Sequence, residues 1–337
     1  MSALTFMEAS PVRWIRPQRI FWPVNSLIIR TCAARTMTTA MVKVTLAPVI
    51  SRTTGPEVAA MSDHNNCSHN CSSCASGCPS GQGPQSLLKP ANQHSKIKKV
   101  VGVISGKGGV GKSLVTALLA TAMQKKGHQC AILDADITGP SIPRMFGLSE
   151  KAKIYKQEIL PVEAANHIKI MSVNLLLAND TDPVVWRGPM IGGAVEQFWT
   201  DVCWGDIDYL FVDMPPGTGD VAQTVFQSLP VDGIIVVSSP QDLVGMIVEK
   251  AVKMADMVHI PVIGLVENMA YFQCPSCGDK HAIFGESHLE QWCRDYQVEL
   301  RAQVPIDPAL AQACDRGDIH TVDAPWLKDL VVGLEAL

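Results

Sequence analysis

An α/β domain with a mostly parallel sheet and helices on both faces is the fold this chain predicts, and three observations carry it. Six short, continuous apolar runs recur over residues 99–266, helical segments separate them, and the turn after the first run is rich in glycine. A strand buried on both faces reads as an unbroken Val/Ile/Leu run, whereas a half-solvated strand alternates, so such runs joined by helices indicate parallel pairing. A length of 337 residues with 47% hydrophobic content allows a sizeable core.

The apolar runs fall at 99–105 (KVVGVIS), 129–133, 168–173, 208–212, 233–237 and 262–266. A helix is expected from about 112 to 126, after the glycine turn, and a last helix pair at 308–316 and 325–337. No run approaches the roughly 18 uncharged apolar residues of a membrane-spanning helix, so no membrane partner is expected.

Charge divides the chain. Residues 1–60 hold seven Lys/Arg against Glu8 and Glu57, which leaves 21 basic and 30 acidic side chains in residues 61–337. So acidic a body lacks the basic face that gripping nucleic acid requires. Arg13, Arg16, Arg19, Arg30 and Arg35 give the leader the composition of an organellar transit peptide, yet Pro11, Pro17 and Pro23 interrupt any useful amphipathic helix. The other reading, which we favour, takes Met61 as the true start and residues 1–60 as an over-extended gene reading; it implies the cytoplasm rather than an organelle. Residues 61–97, rich in Ser, Asn, Gly, Pro and Cys, are expected to form a flexible, metal-binding arm before a single domain at 98–337.

Gly106-Lys107-Gly108-Gly109-Val110-Gly111-Lys112-Ser113 satisfies the P-loop pattern and stands between an expected strand and an expected helix, the context the motif needs. Glycines let backbone N–H groups turn inward on phosphate oxygens, and the helix start adds the positive end of its dipole. Lys112 would reach the terminal phosphates and Ser113 would ligate Mg²⁺, so ATP and Mg²⁺ are the expected ligands of a P-loop NTPase domain. Two acidic turns, Asp134-Ala135-Asp136 and Asp213-Met214-Pro215-Pro216, follow the strands at 129–133 and 208–212. Ligands bind at the carboxyl ends of strands in open parallel sheets. Asp213 suits a Mg²⁺-holding role through the ion's water shell, and Asp136 is placed to orient an attacking water. Taken alone, each acid also reads as a turn residue; beside a P-loop, the catalytic reading gains.

Lys107 makes the loop distinctive, since a second lysine here resembles the deviant Walker A motif of the MinD/Mrp/nitrogenase-reductase superfamily. GKGGVGKS (106–113), DADITGPSIPRMFG (134–147), WRGPM (186–190), DMPPGTGD (213–220) and ENMAYFQCPSCG (267–278) together resemble the Mrp/ApbC family of iron-sulfur cluster carriers over about residues 97–330. The resemblance implies a homodimeric ATPase that binds a 4Fe-4S cluster and passes it to apo iron-sulfur proteins. It also implies that Lys107 contacts nucleotide across the dimer and that Asn268 lies near the adenine. Lys112 and Ser113 would sit on the phosphates and Mg²⁺, and Asp136 and Asp213 at the hydrolytic centre. Thr138 stands where an aromatic residue is frequent and Met214 where Leu is frequent; neither change removes a chemical group.

The eleven cysteines are clustered, which favours metal over disulfides. Cys274 and Cys277 supply only two thiolates, whereas a 4Fe-4S cluster or tetrahedral zinc needs four. Two protomers related by a twofold axis would supply four. Zinc remains the competing ligand, since CPSCG is also a zinc-knuckle half; a thioredoxin-like redox pair would open a helix rather than sit in a loop. Cys67, Cys71, Cys74 and Cys78 place four thiols within twelve residues, enough to enclose a second metal or cluster without help. Their first three mimic radical-SAM spacing, but a P-loop rather than a barrel follows. Cys130, Cys203, Cys293 and Cys314 are expected as small buried hydrophobes.

A MinD- or ParA-like positioning ATPase with a structural zinc site is the alternative function. It would need a basic amphipathic helix or basic surface, and residues 326–337 offer Lys328 alone against Asp329 and Glu335. An electron-transfer ATPase of the nitrogenase-reductase kind ranks behind the carrier, because that group uses well-separated cysteines.

Overall fold

The first apolar run forms β1 (Lys96–Ile104), and its alternate residues serve opposite faces of a sheet. Val100 and Ile104 are buried with one set of helices, Val101 and Val103 with another. The computed structural model describes residues 87–137, 139, 141–156, 158–177, 188–217, 219–241 and 244–337.

After β1 come β2 (Cys130–Asp134), the short β3 (Lys153–Tyr155), β4 (Glu158–Leu160) and β5 (Val162–Glu163), then β6 (Lys169–Ser172), β7 (Asp206–Asp213), β8 (Gly233–Ser238) and β9 (Val262–Asn268). The pair β10 (Phe272–Gln273) and β11 (Lys280–His281) and the strand β12 (Leu300–Val304) complete the set. Eight strands form one sheet in the order β12-β9-β8-β1-β7-β2-β6-β5. All neighbours are parallel except β5, which runs antiparallel to β6. All six apolar runs are strands of this sheet, and the parallel prediction holds.

Among the described residues eight helices cover it: α1 (Lys112–Lys125), α2 (Ile142–Met145), α3 (Gly188–Thr200), α4 (Asp220–Ser228), α5 (Val244–Met257), α6 (Leu289–Asp295), α7 (Pro308–Arg316) and α8 (Lys328–Glu335). On one face Phe198, Phe226, Val248 and Trp292 of α3 to α6 are buried against Val100, Leu133 and Leu210. On the other, Leu118, Ile142, Leu310 and Leu330 of α1, α2, α7 and α8 bury Val101, Ile132 and Phe211. Each such large apolar side chain contributes about 1.5–3 kcal/mol by leaving water.

The differences from expectation have physical causes. β12 shows no continuous apolar run because it is an edge strand: Ala302 and Val304 are buried while Arg301 and Gln303 are exposed. The final helix starts at Lys328, after a 3-10 turn at Pro325–Leu327. Its Leu330, Val331 and Leu334 are buried, and Tyr209 Oη donates to the Leu334 carbonyl at 3.1 Å, so the apolar face of α8 is used up inside the fold. Residues 89–97, which composition groups with the arm, are tied down: Lys89 N–H donates to Ser228 O at 2.8 Å and Trp199 Nε1 donates to Lys89 O at 2.9 Å. Cys130 and Cys293 are buried, but Cys203, in the edge turn that pairs with Ile159, and Cys314, on the surface helix α7, are only half-buried. Among the described residues, no helix is long and apolar enough to cross a membrane.

The loop after β2 is buttressed from the far end of the chain. Gly317, at φ 77°, ends α7 against Gly147, and a Cβ at 317 would lie 2.4 Å from Gly147 Cα. Gly317→Ala is expected to cost more than about 2 kcal/mol in urea denaturation, combining left-handed strain with a backbone clash. A surface pair offers a pH test. Asp208 accepts from Lys98 Nζ at 2.6 Å and from Gln129 N–H at 2.7 Å, and the Lys98 bond first, the backbone bond second, hold its carboxyl below the ordinary range. A depressed carboxylate contributes stability that is full above its unfolded pKa of about 4 and is lost as pH falls through the folded value. The stability difference between wild type and Asp208→Asn should therefore be largest near pH 7 and shrink steadily below about pH 4.

Candidate functional site

Between the end of β1 and the start of α1 the chain makes a glycine turn that only glycine permits. Gly109 and Gly111 take φ 81° and 80°, in the left-handed region. Gly111 is the N-cap of α1 and no side chain caps that helix, so its first amides keep the capacity a phosphate oxygen uses. Val110 is buried and anchors the turn.

The carboxyl edge of the sheet delivers the acids. β7 ends at Asp213, which pairs with Asp134 at the end of β2. Asp213 has no exposed surface; Lys112 Nζ donates to its Oδ1 at 2.6 Å, Ser113 Oγ to its Oδ2 at 2.6 Å and Thr116 Oγ1 to Oδ1 at 3.1 Å. Asp136 Oδ2 lies 3.9 Å from the same Lys112 Nζ, and the Asp136 amide donates to Asp134 Oδ1 at 3.2 Å. Burial, then the charge of Asp213, pushes Asp134 well above the usual carboxylate range. Burial also raises Asp213, against the pull of Lys112, Ser113 and Thr116. The buried Lys112 thus pairs with Asp213 and Asp136 and acts on Asp134 through its charge, a cluster suited to exchange its partners for phosphate oxygens and a hard divalent cation.

Four of the expected residues, Lys112, Ser113, Asp136 and Asp213, are brought together. Asn268, the last residue of β9, is buried and donates from Nδ2 to Val110 O at 2.9 Å, so it touches the loop itself. Lys107 turns to its own chain, donating to Gln241 Oε1 at 2.9 Å. Two members of the cluster were not singled out from the sequence. Asp134 carries its signal in the strand-end acid pair, and Thr116 in its place one helical turn after Lys112. Met214, in place of Leu, is fully buried and fills the same apolar role.

The cysteine pair forms the tip of a small hairpin, β10–β11, where a plain loop was expected. Cys274 N–H donates to Asp279 O at 2.9 Å, Gly278 N–H donates to Cys274 O at 2.8 Å, and Gly278 at φ 80° closes the turn. Backbone N–H groups of Cys277, then Ser276, lower the Cys274 thiol pKa, and Cys277 Sγ lies 3.3 Å from Asp279 Oδ2. Cys277 is exposed and Cys274 half-buried. Among the described residues no group of three or more His, Cys, Asp or Glu could hold a metal ion, so the pair has two thiols and no third ligand in reach. Cys67, Cys71, Cys74 and Cys78 lie outside the described residues, as do Thr138, Trp186 and Arg187.

Breaking the buried ion cluster should be visible without ligand. Lys112→Met leaves the buried Asp213 without its cation and is expected to lose about 3–5 kcal/mol in urea denaturation at pH 7. Thr116→Val, which removes one donor to a charged acceptor, should lose about 1.5–3 kcal/mol.

Known proteins share this geometry and sequence. A family model described as ParA, the NUBPL iron-transfer P-loop NTPases, matches residues 96–329. The iron-sulfur cluster carrier protein of Clostridium perfringens is 46% identical over 237 residues, 68% of this chain and 83% of that protein. The cytosolic Fe-S cluster assembly factor NUBP1 homolog of Caenorhabditis elegans is 42% identical over 250 residues, 71% of this chain and 80% of its own. A solved nucleotide-binding protein in complex with ADP from Archaeoglobus fulgidus is similar with a TM-score of 0.63 and 42% identity, covering 69% of this chain and 91% of that one. Matched over more than two thirds of its length, the chain belongs to the family of ParA/NUBPL iron-transfer P-loop NTPases.

Proposed function

We propose that this chain is an ATP-dependent iron-sulfur cluster scaffold and carrier, working as a homodimer. The observation that carries the reading is a two-thiol hairpin, with Cys277 exposed and no third ligand in reach among the described residues, in a chain of this family whose P-loop cluster is assembled. Cys274 and Cys277 of two protomers together offer the four thiolates of a 4Fe-4S cargo, which apo iron-sulfur proteins then receive. An exposed site suits cargo that must leave, whereas structural zinc is usually enclosed by four ligands of one chain. The positioning alternative is weakened because α8 spends its apolar face on the core and has no basic surface to offer a membrane.

In the nucleotide site, Gly106, Gly108, Gly109, Val110, Gly111 and Lys112 would cradle the phosphates, with Asn268 beside the base. Ser113 Oγ and Asp213 Oδ2, 2.6 Å apart, are the hard oxygen pair that fits Mg²⁺, which when bound would offset phosphate charge. Asp136 would orient water for attack on the γ-phosphorus. Lys112 and, across the dimer once released from Gln241, Lys107 would stabilise the charge that develops on the leaving phosphate. The arm cysteines Cys67, Cys71, Cys74 and Cys78 would hold a second cluster. A cytosolic place of work agrees with the relative from Caenorhabditis elegans.

Anaerobic reconstitution with iron and sulfide, followed by metal analysis and gel filtration, tests the reading. The expected result is a coloured dimer whose bridging site, measured with the arm cysteines replaced, holds about four iron. Cys274→Ser and Cys277→Ser should each lose that iron, and the loaded protein should activate an apo-ferredoxin. Colourless protein with stoichiometric zinc would overturn it.

A further inference from the structure

We propose that the last two residues of β9, Glu267 and Asn268, tie the P-loop to the entry foot of the cysteine hairpin and to the segment that follows it, so that nucleotide occupancy sets the exposure of Cys274 and Cys277. The inference rests on the nucleotide-site reading above, and not on the identity of the cargo.

Asn268 has no slack against the loop. Its Nδ2 donates to Val110 O, and a Cβ on Gly111 would sit only 2.1 Å from that nitrogen. A phosphate that draws the loop amides toward itself must shift Val110 and Gly111 past Asn268 or carry Asn268 along. The entry foot of the hairpin begins at the next residue. Met269 holds φ 58°, a left-handed conformation costly for a side chain with a Cβ, and so is a strained joint. The chain beyond it is stapled to the end of β12, Ala270 N–H donating to Val304 O at 3.0 Å and Ile306 N–H to Tyr271 O at 2.7 Å. Only six positions separate Asn268 from Cys274.

The segment that follows the hairpin returns to the same strand at Ser287, six residues beyond β11. Glu267 is fully buried, and its Oε2 accepts from Gln303 Nε2 at 3.0 Å. The same Gln303 nitrogen lies 2.8 Å from the hydroxyl of Ser287, at the end of the exposed segment that leads away from β11. Among the described residues Glu267 Oε1 has no hydrogen-bond partner, so within them the carboxylate depends on this one amide and on its place in the ladder between Ser238 and Gln303. Adjacent residues of one strand thus hold the loop on one side and, on the other, the entry foot of the hairpin and, through Gln303, the segment that leaves it at Ser287. A coupling of this kind needs contacts that differ between two states, and the strained Met269 joint supplies a place for the change.

The test is the alkylation rate of Cys274 and Cys277 in the reduced, metal-free full-length chain, resolved by peptide mass spectrometry, with and without saturating Mg-ADP or a non-hydrolysable Mg-ATP analogue. Binding is measured separately by calorimetry. Nucleotide should change the rate at both cysteines by about threefold or more in wild type. Gln303→Ala, outside the nucleotide site, should keep nucleotide affinity and lose most of that change; Ser287→Ala serves if that variant does not fold. An unchanged wild-type rate with nucleotide bound would overturn the coupling. So would a full response in both variants, which would assign the effect to shielding by a partner subunit. Failure of nucleotide to bind would instead remove the site reading, and the coupling with it.

Discussion

Burying carboxylates at the carboxyl edge of a sheet is the constraint around which this molecule is arranged. Asp134 and Asp213 have almost no exposed surface; Lys112 is ion-paired with Asp213 and acts on Asp134 through its charge. Removing such charges from water costs several kcal/mol each, and attraction to Lys112 offsets that only when the remaining lone pairs are also served. Ser113 and Thr116 serve those of Asp213 because they follow Lys112 on the first turn of α1, while Asp134 Oδ2 has no hydrogen-bond partner among the described residues. That supply requires α1 to start immediately after β1, and β1 to lie beside β7, which in turn lies beside β2. The central strand order and the glycine turn are two sides of one requirement.

The same constraint explains why the cluster looks poised rather than settled. Three acids around one cation form an arrangement whose repulsion would fall if, as proposed, a divalent cation entered together with anionic phosphate, each taking over contacts now made inside the protein. Far simpler forces hold the cysteine hairpin. It stands outside the main sheet on two-residue strands, with a half-buried and an exposed thiol, which suits a group that must be handed on. Its stability is borrowed from β9 and β12, the strands at its feet.

Much of the fold was legible because fully buried parallel strands leave an unambiguous mark. The runs at 99–105 and 233–237 became β1 and β8 with little change of boundary. Where burial is partial the mark fades. β12 alternates, β3 has all three residues exposed, and Cys314 sits on a helix that shows one side to water. The site divides in the same way. Lys112, Ser113, Asp136 and Asp213 could be named because a phosphate loop and strand-end acids have fixed spacings. Thr116 and Glu267 could not, since a threonine one turn into a helix and a glutamate ending a strand are ordinary in any sequence.

The sequence by itself determined the alternation of buried strands and helices, a glycine turn with the spacing of a phosphate loop, and a cysteine pair too small to complete a four-ligand metal site by itself. These are local properties of spacing, side-chain size and backbone freedom. Only the tertiary structure decided that Asp134 and Asp213 stand side by side, that Lys107 turns to Gln241, and that Asn268 touches Val110 across 158 positions of chain. Those contacts depend on strand order and register, which arise when two faces of the sheet are buried at once and no single segment encodes them.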